Sequence, residues 1–178
     1  KEKYELLFKT EQKLDPNDPE LMSQLQRFIF GEVFYIGKLT DKQRELITCT
    51  ILTVLQTLPQ LKAHVNAALN VEVSPLELKE AIYQCAPFIG YPKTLNAISV
   101  VNEVFNQRNI TLPLENQCDF ADDQRYERGL KIQKELYGDE IKERYQYLPE
   151  EIANALPKFL TEWCFGDCYS RKAMDIKT

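Results

Sequence analysis

Apolar residues recur along this chain at three- and four-residue intervals, while the β-branched alternation that strands need is almost absent, so the pattern predicts an all-α protein. Asp18 followed by Pro19 offers an N-cap and a first-turn proline for a helix through about Phe30. Thr40 with Gln43, and Ser74 with Pro75 and Glu77, have the form in which each end satisfies a free amide of the other. Between Thr40 and Thr57 the residues Leu46, Ile47, Ile51, Leu52, Val54 and Leu55 leave almost no polar face, and such a helix is expected to be buried on several sides. Pro59 ends it or opens the next one. That next helix runs from about Gln60 to Asn70, with Leu61, Val65 and Ala68 on one face and His64 at its border. Ala63 and Ala67 are small enough to admit a close neighbour. Further helices are expected over Ser74 to Phe88 and from near Pro92 to about Gln107.

After Gln107 the character changes. Asn109 to Asp123, with two prolines and mixed polarity, reads as a connector, and beyond it the chain begins to repeat. "KYELLFKTEQKL" at Lys3 to Leu14 resembles "RYERGLKIQKEL" at Arg125 to Leu136, with Tyr4 on Tyr126 and Leu14 on Leu136. "FGEVF" at Phe30 to Phe34 then resembles "FGDCY" at Phe165 to Tyr169 at a longer offset, and Leu39 falls on Met174. The extra residues of the second copy are expected within "YGDEIKERYQYLPEEI". The implied organisation is an N-terminal helix (1–17), a helical domain (18–108), a connector (109–124) and the head of a second, incomplete repeat (125–178). A partial repeat cannot bury its own face, so the natural protein is expected to be a tandem repeat.

Composition narrows the function. With 178 residues and 44% apolar content the chain can build a real core. A net charge of −5, with no basic block to neutralise a run of phosphates, makes nucleic acid a poor partner. The apolar runs are broken well short of the roughly 20 residues a membrane span needs, so no membrane partner is expected. Cys49, Cys85, Cys118, Cys164 and Cys168 are an odd set without small-domain disulfide spacing, which suits reduced thiols in a cytoplasm. Cys164 and Cys168 share a helical spacing, but a metal site would need further ligands that a chain with one histidine lacks.

The stretch from Phe30 to Phe105, above all "RELIT", "QLKAHVNAALN" and "YPKTLNAI", resembles the carboxymuconolactone decarboxylase family, whose fold is shared with alkyl hydroperoxide reductase D-type (AhpD-like) peroxidases. The resemblance implies an all-α, AhpD-like helical bundle assembled as a homo-oligomer. Peroxidases of the superfamily carry Glu, eleven residues, Cys-x-x-Cys, three residues and His. Glu45 and His64 have the span of that pattern, while the two cysteine places hold Thr57 and Gln60, neither of which can form a thiolate. Cys49 lies eight residues too early, inside a helix expected to be buried, where a thiol is usually inert.

The resemblance therefore implies a lyase of the decarboxylase type acting on a small unsaturated carboxylic acid or lactone. In it Glu45 and His64 form a proton relay that needs no cofactor and no metal. The alternatives are an AhpD-like peroxidase or disulfide reductase, disfavoured by the missing Cys-x-x-Cys, and a non-catalytic oligomeric binding module. Each residue also has a plainer reading. A lone histidine beside an apolar stripe is more often packed than catalytic, and an acid near a helix start is favoured by the helix dipole. Arg44 is a candidate for a substrate carboxylate, against the commoner role of a solvated helix charge. Phe34, Phe88 and Tyr91 are candidate pocket walls, with Tyr35 beside them, against simple core packing. Geometry adds a condition. In a flat antiparallel hairpin turning near Leu58, Glu45 would lie about 20 Å and His64 about 9 Å from the turn, so contact requires a steep crossing, a bridging water or two subunits.

Overall fold

The computed structural model describes residues 1–11, 13–118 and 121–174, so residues 119–120 of the expected connector and 175–178 of the expected second repeat lie outside the described residues. Among the described residues the regular elements are helical. In chain order they are α1 (Glu2–Phe8), α2 (Pro19–Leu25), α3 (Asp41–Leu55), α4 (Leu58–Asn70), α5 (Pro75–Tyr83), α6 (Ala86–Ile89), α7 (Tyr91–Gln107), α8 (Arg125–Tyr137), α9 (Glu140–Arg144) and α10 (Glu150–Phe159). π-helical turns continue α2 over Gln26–Phe30 and α10 over Leu160–Tyr169, and short 3-10 turns cover Val33–Tyr35 and Asp122–Gln124. Among the described residues no helix is long and apolar enough to cross a membrane.

Local chemistry explains most boundaries. Both expected capping boxes are formed. The Thr40 hydroxyl accepts from the Gln43 amide at the start of α3, and the Ser74 hydroxyl accepts from the Glu77 amide at the start of α5, with both glutamine and glutamate side chains reaching back. Each such cap is worth about 1 kcal/mol. Asp18 stands at the N-cap of α2, with Pro19 in its first turn, but its side chain makes no capping bond. α4 begins at Leu58, earlier than expected, because Pro59 fits the first turn, where its missing N–H is not needed. The helix expected over Ser74 to Phe88 is broken into α5 and α6 for a related reason: Pro87 cannot donate back to the α5 turn, and the chain restarts at Ala86.

The chain divides into two compact units. Unit 1 comprises Lys1–Cys85 and Tyr91–Leu112, and unit 2 comprises Ala86–Gly90 and the residues from Pro113 onward. The N-terminal helix, read from sequence as a segment of its own, belongs to unit 1. Leu61, Val65 and Ala68 of α4, Leu78 and Ile82 of α5, and Ala97, Val101, Val104 and Phe105 of α7 make the core of unit 1. A second cluster gathers Leu7, Phe30 and Ala67, with Tyr4, Phe8, Phe34 and Val71 packed against it. Gln56, in the left-handed region at the end of α3, fixes the α3–α4 turn. Its side-chain amide donates to the Thr53 and Lys93 carbonyls and accepts from Asn96 of α7.

One expectation is reversed. α3 is not buried on several sides. Its inward face carries Glu45, Leu46, Cys49 and Thr53, whereas Ile47, Ile51, Val54 and Leu55 are exposed, Ile51 by 50%. A uniformly apolar sequence cannot say which face a helix turns inward, and here the four-residue row that includes the acid faces the core.

In unit 2, α8 lies against the π-helical segment with almost no space between the backbones. A Cβ on Gly129 would overlap the Thr161 carbonyl oxygen and stand 2.8 Å from the Gly166 amide nitrogen, and one on Gly166 would stand 2.5 Å from the Arg125 carbonyl oxygen. The buried Thr161 hydroxyl bonds the Gln133 carboxamide at 2.6 Å, and Arg125 grips both carboxylate oxygens of Asp167. Ile141, Cys164 and Phe165 form the core of this unit. Because Gly129 meets backbone rather than a side chain that could swing aside, Gly129→Ala is expected to destabilise unit 2 by roughly 2 kcal/mol or more. Hydrogen exchange should show protection lost across α8 and Leu160–Tyr169 while α3, α4 and α7 keep theirs.

Candidate active site

Glu45 sits little more than one turn into α3 on the face turned to the core, and it is 0% exposed. Favourable interaction with the helix dipole is therefore not a sufficient account of it. Moving a carboxylate out of water costs several kcal/mol, which only a well-made partner offsets. The partner is His64 of α4, whose Nδ1 is 2.8 Å from Glu45 Oε2. With the carboxylate ionised, Nδ1 carries the proton and donates, leaving Nε2 able to take up or release a proton. The imidazole side chain is 22% exposed, so the pair has a sealed acid end and a histidine end that solvent or a small molecule can reach.

The bond is direct and lies within one chain. Of the three ways in which the sequence allowed contact, neither a bridging water nor a second subunit is needed. Glu45 Oε1, the other carboxylate oxygen, is buried without a hydrogen-bond partner, as are the Thr53 and Thr57 hydroxyls. Unsatisfied buried polar atoms are costly and uncommon.

The expected thiol positions behave differently. Cys49 lies one turn along α3 from Glu45 and is fully buried. Burial, and then the neighbouring Glu45 charge, hold its thiol far above the ordinary range. Burial also pushes Cys85 up to about 11. These two are the only cysteines of unit 1. Gln60 is exposed, and Thr57 stands at the N-cap of α4 without capping it. Cys164 and Cys168 of unit 2 are both buried, and among the described residues no three ligating side chains gather in a group that could hold a metal.

Aromatic rings connect the histidine to two of the other sequence candidates. The Phe8 ring meets His64 at 5.5 Å and 79°, Phe8 meets Phe30 edge-on at 5.9 Å, and Phe30 stacks on Phe34 at 5.5 Å. The Arg44 guanidinium lies 5.5 Å over the Phe34 ring. Arg44 also donates to the Leu39 carbonyl at 3.3 Å and to the Ile36 carbonyl, so it fastens the loop before α3. Phe88, in unit 2, is 72% exposed, and Tyr91 at the start of α7 is 57% exposed. Sequence reasoning missed Phe8, Tyr4 and Phe30. The available signal was the i, i+4 aromatic pair Tyr4 and Phe8, which the repeat alignment marked without assigning it a contact.

Residues 19–103, which hold α2 to α5 and most of α7, match the model of the carboxymuconolactone decarboxylase family. The chain is 31% identical over 97 residues to the 4-carboxymuconolactone decarboxylase of Acinetobacter baylyi, a match covering 54% of this chain and 72% of that protein. It is 28% identical over 82 residues to the nitrosuccinic acid decarboxylase npaB of Metarhizium robertsii, covering 46% of this chain and 57% of the relative. A 15.0 kDa protein of Paracoccus denitrificans is 31% identical over 93 residues, 51% of this chain and 69% of that protein. Together with the all-helical bundle that brings Glu45 against His64, these matches establish that the chain belongs to the carboxymuconolactone decarboxylase family.

Proposed function

We propose that the chain is a decarboxylase that acts on a small unsaturated carboxylic acid or lactone and protonates carbon through His64, with Glu45 as the group that orients the imidazole. The observation that carries this reading is the 2.8 Å bond from a fully buried carboxylate to Nδ1. The C–C bond to the carboxylate breaks, carbon dioxide leaves, and its electron pair passes into the conjugated carbonyl. The imidazolium Nε2–H then gives its proton to carbon, and solvent returns a proton to Nε2. Throughout, Glu45 holds the proton on Nδ1 and balances the charge that the ring carries as an imidazolium. The decarboxylase names of two relatives support the reaction class. A thiol peroxidase is opposed by Thr57 and Gln60 at the dithiol places and by the inert surroundings of Cys49.

The same reading includes assembly. Ile47, Ile51, Val54 and Leu55 form an uncharged exposed row along α3. Such a row suits a second copy of the chain about a twofold axis, because one helix can supply both sides of the contact. Unit 2 is read as the head of a second repeat. Its Phe165 and Tyr169 stack at 5.3 Å and 29° in a π-helical segment, as Phe30 and Phe34 stack at 5.5 Å and 26° in and just after one.

Carbon dioxide release from 4-carboxymuconolactone, an unsaturated lactone acid, is the assay. His64→Ala is expected to lower kcat by about 10²- to 10⁴-fold, and Glu45→Gln by a smaller factor. A His64→Ala rate equal to wild type would end the mechanism. Alkylation at pH 8 should leave Cys49 and Cys85 unlabelled in the native protein, since a thiol titrating near 11 is only about one part in a thousand thiolate there. Both should label in denaturant, and rapid native labelling of Cys49 would restore the peroxidase reading. Light scattering is expected to show an oligomer that Ile51→Glu splits into smaller species without loss of helix content.

A further inference from the structure

We propose that helix α1, which lies outside the segment matched by the family model, is part of the catalytic apparatus, and that Phe8 is a positioning residue for the His64 imidazole. The proposal rests on His64 being the proton donor. It concerns how the ring is held. One hydrogen bond at Nδ1 holds a tautomer only while the ring keeps that nitrogen aimed at Glu45, and by itself it does not stop the ring from turning away. Phe8 supplies the second constraint through its edge-type contact at 5.5 Å and 79°. An edge contact of this kind adds to simple burial and favours one orientation of a ring over others.

Phe8 can do this only if it is held itself, and the surroundings hold it. Its ring is flanked by Tyr4 at 4.8 Å and Phe30 at 5.9 Å. α1 has seven residues, too few to be stable alone, so its position comes from tertiary contacts. Lys3 Nζ bonds Asp41 Oδ2 in the first turn of α3 at 2.5 Å. Asn70, the last residue of α4, donates to the Leu7 carbonyl at 2.7 Å and is itself fixed by Arg108. Leu7 is wholly buried. α1 is thus fastened to α3, which carries Glu45, and to α4, which carries His64, and Lys9 ends the helix in the left-handed region immediately after Phe8. The arrangement ties the second constraint on the imidazole to the two helices that supply the first.

His64 is the only histidine in the chain, so its ring nitrogens can be observed in the full-length protein without assignment ambiguity. In ¹⁵N-labelled protein the long-range ¹H–¹⁵N spectrum is expected to show the Nδ1–H tautomer alone in the wild type and a mixture of tautomers, or exchange-broadened signals, in Phe8→Ala. Phe8→Tyr, which keeps the ring, is expected to restore the wild-type spectrum, and Lys3→Ala to move it part of the way. In the decarboxylation assay Phe8→Ala should lower kcat by about tenfold to a hundredfold with KM changed less than threefold, as expected for misplacement of a proton donor. If Phe8→Ala lowers only the melting temperature, leaving tautomer and kcat unchanged, Phe8 is packing and the proposal is overturned. Should Phe8→Ala fail to fold, Phe8→Leu serves instead, since it keeps a large apolar side chain and removes the ring contact. An inactive wild type would count against the decarboxylase reading, while the tautomer comparison would still decide the role of Phe8.

Discussion

The burial of Glu45 is the constraint on which unit 1 turns. A carboxylate wholly removed from water demands a partner inside the protein, and the imidazole of His64 supplies it through Nδ1. To let that bond form, α3 must turn its Glu45, Cys49 and Thr53 row inward. Ile47, Ile51, Val54 and Leu55 of the same helix are left outside as a result. The site and the exposed apolar row are two consequences of one rotation of α3 about its axis.

Around this pair the structure arranges order on one side and access on the other. Glu45 is sealed, the thiol of Cys49 beside it is held protonated, and the imidazole alone reaches the edge of the core. The aromatic series from Phe8 through Phe30 to Phe34 runs from the histidine to the stacked guanidinium of Arg44, which in turn holds the Ile36 and Leu39 carbonyls. The loop before α3, the N-terminal helix and the catalytic candidates therefore share one set of contacts. Displacing α1 would be felt at the ring, because α1 is bonded to both helices that frame it.

The two units show how similar sequence heads can pack differently. Leu7 on α1 is a buried side chain of the aromatic cluster, whereas the aligned position on α8 is Gly129, where backbone meets backbone. A side chain spaces the helix in the first case, and its absence brings the helix and the π-helical segment together in the second. The stacked ring pair is kept in both.

The sequence by itself determined the helical class, most helix starts and the identity of the pair. Capping boxes at Thr40 and Ser74, and prolines at Pro19, Pro59 and Pro75, act through bonds within one turn and are legible without a fold. Glu45 and His64 could be named because a resemblance fixed their spacing, not because composition marked them. Tertiary structure decided what depends on direction in space. It chose which face of α3 is inward, since an all-round apolar helix carries no periodicity to choose with. It also brought Phe8 onto His64 from far away in the sequence, and turned Arg44 toward its own loop. Those contacts depend on how whole helices pack together, and packing is set by the shapes of two faces at once, which no local pattern along one chain segment contains.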